Sequence, residues 1–201
     1  MQKKTNNKIQ EFFLDDTESN YCTALARRSI EFGLLNDSLF RLDAGEVKSV
    51  PKKLLEKKAC FVTITIDGNL RGCIGHLVAI QPLYLDIIEN AFSAAFSDPR
   101  FSALSKKELQ RIKIEVSVLT APEELNFKSP NELLEKIAAG KDGLIITKGQ
   151  RSATFLPSVW EELPNKEDFL SHLCMKAGLS DEEWLSPGLR VQRYYAIKVT
   201  E

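Results

Sequence analysis

A cation and a thiol stand two residues apart in the run Leu70-Arg71-Gly72-Cys73-Ile74-Gly75-His76. Residues i and i+2 of a β-strand point to the same face, about 7 Å apart, so Arg71 and Cys73 are predicted to project together. A guanidinium beside a thiol favours the thiolate, which is the nucleophilic form. Gly72 and Gly75 carry no side chain, so a ligand or another backbone could approach closely there. The run therefore predicts either a reactive thiol in a binding site or a strand end with a half-buried cysteine.

A nucleophilic Cys73 needs a base, and arginine cannot accept a proton at neutral pH. The chain has two histidines, and His76 could fold back toward the sulfur because Gly75 lets the backbone bend. The alternative is that His76 is a polar residue at a strand end. A zinc site that adds His172 and Cys174 is disfavoured, because residues two apart on a helix point about 200° apart. We therefore predict no metal and no cofactor.

Three further polar side chains are candidates for ligand contact or acid-base chemistry. Arg100 follows Asp98 and Pro99, and its guanidinium suits a carboxylate or a phosphate, although it could equally pair with Asp98 in a turn. Glu115 lies on the polar side of an alternating strand, and Asp142 precedes a glycine where a turn enters a strand. Paired carboxylates can divide acid and base roles. The alternative is that both are ordinary surface or turn residues.

The composition is that of an ordinary globular chain. The 201 residues are 43% hydrophobic and 27% charged with a net charge of -1, which predicts one large domain or two small ones and no bulk attraction to nucleic acid. No signal peptide and no apolar run of about 20 residues is evident, so we expect a cytoplasmic protein without a membrane partner. The four cysteines form no C-x-x-C pair, and Cys22 and Cys174 fall on apolar helix stripes that predict core positions.

The register of the predicted hairpin decides which residue lies beside the thiol. Residues 59–66 and 70–77 are predicted strands. A two-residue turn at Asp67-Gly68 would mix apolar and polar side chains on each face. A three-residue loop collects the apolar residues on one face and places Thr63 opposite Cys73. Because register follows the apolar pattern when one face is buried, we predict the three-residue loop.

The remaining pattern predicts an α+β or mixed α/β fold, with a largely antiparallel sheet flanked by helices. We place a flexible polar leader at 1–15 and a single domain at 16–201. The first helix is predicted to end at a capping Gly33, and Ser105 and Glu108 form a capping box that opens a short helix. The other predicted helices begin at 82, 130 and 166, and the other strands span 112–119, 144–147, 152–155 and 191–199.

Five segments in order resemble the AMMECR-type domain family, whose prokaryotic members are called AmmeMemoRadiSam system protein A. The hexapeptide Leu70-Arg71-Gly72-Cys73-Ile74-Gly75 is the specific one, and the resemblance covers roughly residues 20 to 200. It implies an α/β unit with a smaller subdomain packed against it and a cleft between the two. It also implies association with Memo-like and radical-SAM proteins, and it brings no settled activity. The family commonly has a small hydroxyl residue at the position of His76. The other four segments are 98–101, 114–119, 140–146 and 169–179.

Three hypotheses for function follow. In the first, Cys73 is a nucleophile or covalent carrier in a modification pathway, and Arg71 holds the thiolate and an anionic group of the substrate. The predicted substrate contacts are Thr63, Gly72, Gly75, His76, Arg100 and Glu115. In the second, the same site binds a small molecule or a protein without catalysis, so whether the chain is an enzyme stays open. The third is nucleic-acid binding through Tyr194 and Lys198, which the balanced charge disfavours.

Overall fold

The computed structural model describes residues 13–201, and the chain divides into two compact units. The first unit extends to Thr120 and takes in Ile197–Glu201, and the second is Ala121–Ala196. Most of the predicted leader lies outside the described residues. Its last positions belong to the fold, because Leu14 is buried and Asp15 caps the first helix.

The structure combines helices with two largely antiparallel four-stranded sheets, which confirms the predicted α+β or mixed α/β fold class. The five α-helices of the described residues are α1 (Asp16–Asn36), α2 (Ala44–Val47), α3 (Leu83–Phe96), α4 (Pro130–Lys136) and α5 (Lys166–Lys176). The strands are β1 (Cys60–Ile66), β2 (Asn69–Gly75), β3 (Ile112–Leu119), β4 (Glu123–Glu124), β5 (Gly143–Lys148), β6 (Arg151–Phe155), β7 (Arg190–Tyr194) and β8 (Ala196–Thr200).

The first unit is built on a four-stranded sheet in the order β2-β1-β3-β8, with β1 antiparallel to β2 and β3. Alternate residues of β1 and β3 are buried in one apolar cluster with side chains of α1 and α3. This alternation is what the period of a strand with one buried face predicts. The opposite side of the sheet is consequently the side on which polar side chains collect.

Helix α1 is longer than predicted. A capping box between Asp15 and Glu18 opens it as the spacing of a helix start requires, and it ends at Asp37, whose φ is 51°. Gly33 is not the cap. A Cβ there would lie 2.4 Å from the ring of Phe96, so this glycine lets α1 approach α3. The prediction was wrong because a glycine needed for packing and a capping glycine look alike in the sequence.

The hairpin of β1 and β2 reaches the predicted pairing by a different route. Thr63 lies opposite Cys73 as predicted, but the turn is the two-residue Asp67-Gly68, in which both residues have positive φ. The register shifts between Ile64 and Thr65, which leaves Arg71 as the extra residue of a β-bulge. The predicted three-residue loop was therefore wrong, since the bulge rather than the loop supplies the additional residue.

Only half of the predicted capping box at Ser105 forms. Glu108 accepts hydrogen bonds from the Ser105 backbone N–H and hydroxyl, both at 2.8 Å, but the Glu108 N–H donates to the Ser105 carbonyl and residues 106–111 form only a turn. The predicted short helix is therefore wrong. The carboxylate of Glu108 has a second partner in Arg71, described below.

The second unit contains the antiparallel sheet β4-β7-β5-β6. Its core includes Cys174, buried as predicted, and the stacked rings of Trp160 and Phe169, whose centroids are 3.7 Å apart. The predicted strand 191–199 is two strands, since β7 belongs to this sheet and β8 to the sheet of the first unit. Tyr194 is buried at the end of β7. The expectation that Tyr194 and Lys198 share one face of a single strand, on which the disfavoured nucleic-acid alternative depended, is therefore wrong.

Candidate functional site

The strands of the first unit present polar side chains on the side of the sheet that faces away from the apolar cluster, and we call this side the polar face. Register places Cys73, Thr63 and Glu115 in one row across β2, β1 and β3. A neighbouring row runs through Gly75, Phe61 and Ser117. The predicted site residues Thr63, Cys73 and Glu115 are therefore brought together by strand pairing alone.

Cys73 differs from the other three cysteines in its surroundings. It is half-buried, and the Thr63 hydroxyl donates a hydrogen bond to its sulfur at 3.3 Å. Cys22, Cys60 and Cys174 are fully buried. Burial raises the pKa of Cys22 to about 12 and of Cys174 to about 11, and it raises the pKa of Cys60 well above its ordinary value. Buried thiols of this kind are inert, so any thiol chemistry of this chain falls to Cys73.

The segment after α3 holds the backbone of Cys73 at the free edge of the sheet. Asp98 accepts the Cys73 N–H at 2.9 Å, and Arg100 donates to the Cys73 carbonyl at 3.1 Å. The two side chains also bind each other at 2.7 Å, and Asp98 is almost fully buried. The Arg100 guanidinium, followed by the hydrogen bonds that the Cys73 and Arg100 N–H groups donate, holds the pKa of Asp98 well below its usual range. The local pair of Asp98 and Arg100, one of the two alternatives for Arg100, is therefore present, and it fixes the residue that carries the thiol.

Arg100 places a cation next to the residue that carries the thiol, because its Nη2 donates to the Cys73 carbonyl. Asp98 is the main cause that raises the pKa of Arg100, and the charge of Cys73 contributes in smaller part. The side chain is 54% exposed, and among residues 13–201 no partner accepts a hydrogen bond from its Nη1. The site thus has a guanidinium beside the thiol with two N–H groups left for an anionic oxygen.

Arg71 does not fill the position that the sequence predicts for it. Its Nε lies 2.7 Å from Glu108, and its Nη2 also donates to the Ala103 carbonyl at 3.4 Å. Its guanidinium carbon lies 5.9 Å from the ring centroid of Phe101. The physical reason is the β-bulge, which re-aims a side chain that regular pairing would have aligned with Cys73. Arg71 therefore links β2 to the turn at 105–111 and leaves the thiol to Arg100.

The Arg71–Glu108 pair predicts a specific acid sensitivity. Arg71, with help from Ser105, lowers the pKa of Glu108 from 4.5 to about 2. The folded state therefore binds this proton less readily than the unfolded chain, so the contribution to stability is complete above pH 4.5 and is lost as the pH falls toward 2. We expect Glu108→Gln to lower the urea midpoint at pH 7 and to flatten its decline between pH 5 and pH 3. An unchanged slope would contradict this.

The sequence predicts that either a ligand or another part of the protein approaches Gly72 and Gly75 closely. In the structure, atoms of the protein do so at both glycines. A Cβ on Gly72 would lie 2.0 Å from the carbonyl oxygen of Ala94 in α3. A Cβ on Gly75 would lie 2.3 Å from the ring of Phe61 and 2.5 Å from the Cys60 carbonyl oxygen. The space that a side chain would need at each glycine is therefore occupied by other atoms of the protein.

His76 is directed to a buried carboxylate. The Nδ1 of its ring lies 2.7 Å from the carboxylate of Asp86, which is 1% exposed. The backbone N–H of His76 donates to the Cys60 carbonyl. Asp86 also accepts hydrogen bonds from the Cys60 N–H, Gln81 and Asn90. Of the two alternatives for His76, the structure therefore shows a polar residue at the strand end, paired with Asp86 at the start of α3 and not with Cys73. His76 remains a predicted ligand contact only through its Nε2.

Glu115 has neighbours of both charge types on the polar face. The Ser117 hydroxyl donates to its Oε1 at 3.1 Å, and Lys198 on β8 lies 3.8 Å from the same oxygen. Asp142 is a buried turn residue of the second unit, where it accepts the Ala138 N–H at 2.8 Å. Burial raises the pKa of Asp142. Glu115 and Asp142 therefore have different partners, each within its own unit.

Within residues 13–201, no group of three or more His, Cys, Asp or Glu side chains is arranged to hold a metal ion. In the same range, no helix has both the length and the apolar character needed to cross a membrane.

Comparison with known proteins shows that the chain is similar to archaeal proteins over most of its length. A protein of Methanosarcina mazei is 43% identical over 173 residues, with 86% of each chain covered. Protein MJ0810 of Methanocaldococcus jannaschii is 40% identical over 182 residues, covering 89% of this chain and 88% of its own.

The crystal structure of protein PH0010 from Pyrococcus horikoshii is similar with a TM-score of 0.83 at 36% identity. The match covers 93% of both chains, so it includes both units described above. A model of the AMMECR1 family matches residues 23–199. The chain belongs to the AMMECR1 family.

Proposed function

We propose that the polar face is the functional site and that Cys73 is its nucleophile or covalent carrier. The observation that carries the proposal is the contrast among the four cysteines. Cys73 alone is half-exposed, with a hydroxyl donor and a guanidinium beside it, while the others are sealed in the two cores. A thiolate with a nearby cation is the form in which cysteine reacts.

The chemistry consistent with this site is attack on an electrophilic carbon. The thiol sulfur forms a bond to that carbon, the bond from the carbon to its leaving group breaks, and the leaving group departs with the electron pair and takes up the thiol proton. Arg100 has N–H groups free to bind an anionic oxygen of the substrate, which is the role the sequence predicts for Arg71. Thr63 holds the sulfur in place.

A non-catalytic binding module that uses the same face is the second candidate. The rigid grip of Asp98 and Arg100 on the Cys73 backbone favours it, because a fixed strand edge serves binding as well as catalysis. In either case, a cytoplasmic location, expected from the sequence, and a partnership with Memo-like and radical-SAM proteins, expected from the family resemblance, remain proposals. Replacement of Cys73 by serine separates the two functions, since a nucleophile would lose its turnover, whereas a module would retain ligand binding with no turnover to lose.

Alkylation tests the proposed nucleophile. With iodoacetamide at neutral pH and peptide mapping, we expect Cys73 to react at least about tenfold faster than Cys22, Cys60 or Cys174, because a buried neutral thiol is a poor nucleophile. Arg100→Gln should slow the reaction of Cys73 several-fold. Arg111→Gln is the matched control, since Arg111 is an exposed arginine that pairs with Asp67. Equal labelling of all four thiols in the native protein, or equal effects of the two arginine variants, would exclude the nucleophile.

A further inference from the structure

A second group of charged side chains lies on the polar face beyond the thiol. Glu115 and Lys198 face each other with 3.8 Å between carboxylate oxygen and ammonium nitrogen, which is longer than a hydrogen bond. Their side chains are 29% and 42% exposed. The pair is therefore neither buried nor closed, and each member can take a partner of its own.

Within the described part of the chain, one oxygen of Glu115 and the ammonium group of Lys198 have unused hydrogen-bonding capacity. Ser117 and Lys198 both approach Oε1 of Glu115, while among residues 13–201 nothing donates to Oε2. In the same residues, the neighbouring Lys198 ammonium has an ion-pair partner in Glu115 but no hydrogen-bond acceptor. The Oε2 of Glu115 and this ammonium group complement an ammonium and a carboxylate that are joined at one carbon.

We propose that Glu115 and Lys198 bind the α-ammonium and α-carboxylate groups of an amino acid. The ammonium group would bind the free oxygen of Glu115, and the carboxylate would bind Lys198. Ser117 fixes Glu115 for this contact by its hydrogen bond. A peptide end carries only one of these two charges, so the geometry selects a free α-amino acid over a peptide terminus.

The distance to the thiol sets the length of the ligand. Glu115 and Cys73 lie in the same row with Thr63 between them, so two strand spacings separate them, which is about 10 Å. A small amino acid bound at Glu115 and Lys198 would not reach the sulfur. The ligand class is therefore an α-amino acid whose long side chain lies across Thr63 and ends near Cys73. This part of the inference rests on the proposed function, while the binding of the charged end does not.

Two isomers of acetylated lysine provide a sharp test on the full chain. Nε-acetyllysine has both charges on one carbon and a long neutral side chain, whereas Nα-acetyllysine has its charges at opposite ends. We expect Nε-acetyllysine and alanine to bind at millimolar concentration, and Nα-acetyllysine to bind at least about tenfold more weakly, because it loses one charged contact. Bound Nε-acetyllysine should slow the alkylation of Cys73, and bound alanine should not.

Variants assign the binding to the pair. Glu115→Gln and Lys198→Gln should each weaken Nε-acetyllysine about tenfold or more, while Lys113→Gln, an exposed lysine on the same strand as Glu115, should have no effect. Cys73→Ser should bind normally, which keeps this result separate from the nucleophile test. The proposal is overturned if the two isomers bind equally, if neither binds, or if Lys113→Gln is as damaging as the pair variants. Binding of both Nε-acetyllysine and alanine with no protection of Cys73 would retain the amino-acid site and remove its link to the thiol.

Discussion

Gly72→Ala is expected to destabilise the protein by about 3 kcal/mol or more, at or above the upper end of the usual cost of overpacking a core. The new Cβ would lie 2.0 Å from the carbonyl oxygen of Ala94, which is a backbone atom of α3 and cannot rotate away. Relief requires α3 to move from the sheet, and the core between them to open. Urea unfolding monitored by circular dichroism measures the loss.

Gly68→Ala is the matched control for this variant, because Gly68 belongs to the same hairpin. Its φ is 81° and a Cβ there would meet nothing within 4 Å, so only left-handed backbone strain of about 1 kcal/mol is expected. If the two variants lose equal stability, the prediction that Gly72 is needed for the close approach of α3 is contradicted.

Asp86→Ala is expected to cost about 3 kcal/mol or more, the second large effect. The carboxylate is buried and accepts four hydrogen bonds, from the Cys60 N–H at 2.8 Å and from the side chains of His76, Gln81 and Asn90. Its removal leaves the buried Cys60 N–H without this acceptor, and an unsatisfied buried group costs about 1–3 kcal/mol. The free energy of unfolding at neutral pH is the measurement.

His76→Ala supplies the comparison, since it removes the partly exposed partner from the same network. Its side chain is 42% exposed, so water can replace the imidazole at the carboxylate, and we expect a loss of about 1 kcal/mol or less. A larger loss in the free energy of unfolding for His76→Ala than for Asp86→Ala would show that the imidazole, and not the carboxylate, stabilises this hydrogen-bond network.

The sequence determines the alternating strands well because burial on one face constrains register directly. The pairing of Thr63 with Cys73 was predictable from the apolar pattern, but the turn and bulge that produce it were not. A longer loop and a bulge add the same single residue and give the same pairing at Thr63 and Ile64, so the two differ only at the turn, where Leu70 pairs with Thr65 and is exposed. Only the second choice turns Arg71 toward Glu108.

The sequence predicted most of the residues of the candidate site, but it predicted their contacts less well. Arg100 was identified from its motif, yet its action on the Cys73 carbonyl depends on a contact 27 residues away along the chain. Asp86 was missed, and Lys198 was considered only for nucleic-acid binding and not as a neighbour of Glu115. Asp86 is a charged residue within the apolar stripe of a predicted helix, which was a usable signal, whereas nothing in the sequence pairs Lys198 with Glu115.

The return of β8 to the first sheet has a consequence for biosynthesis. The ribosome completes β3 well before β8, because the whole second unit is translated in between. At about 5–20 residues per second, the flank of β3 that β8 will cover remains unpaired for several seconds in the nascent polypeptide. An open strand of this kind invites pairing with a neighbouring nascent chain on the same polysome, so production of this protein should be sensitive to crowding during translation.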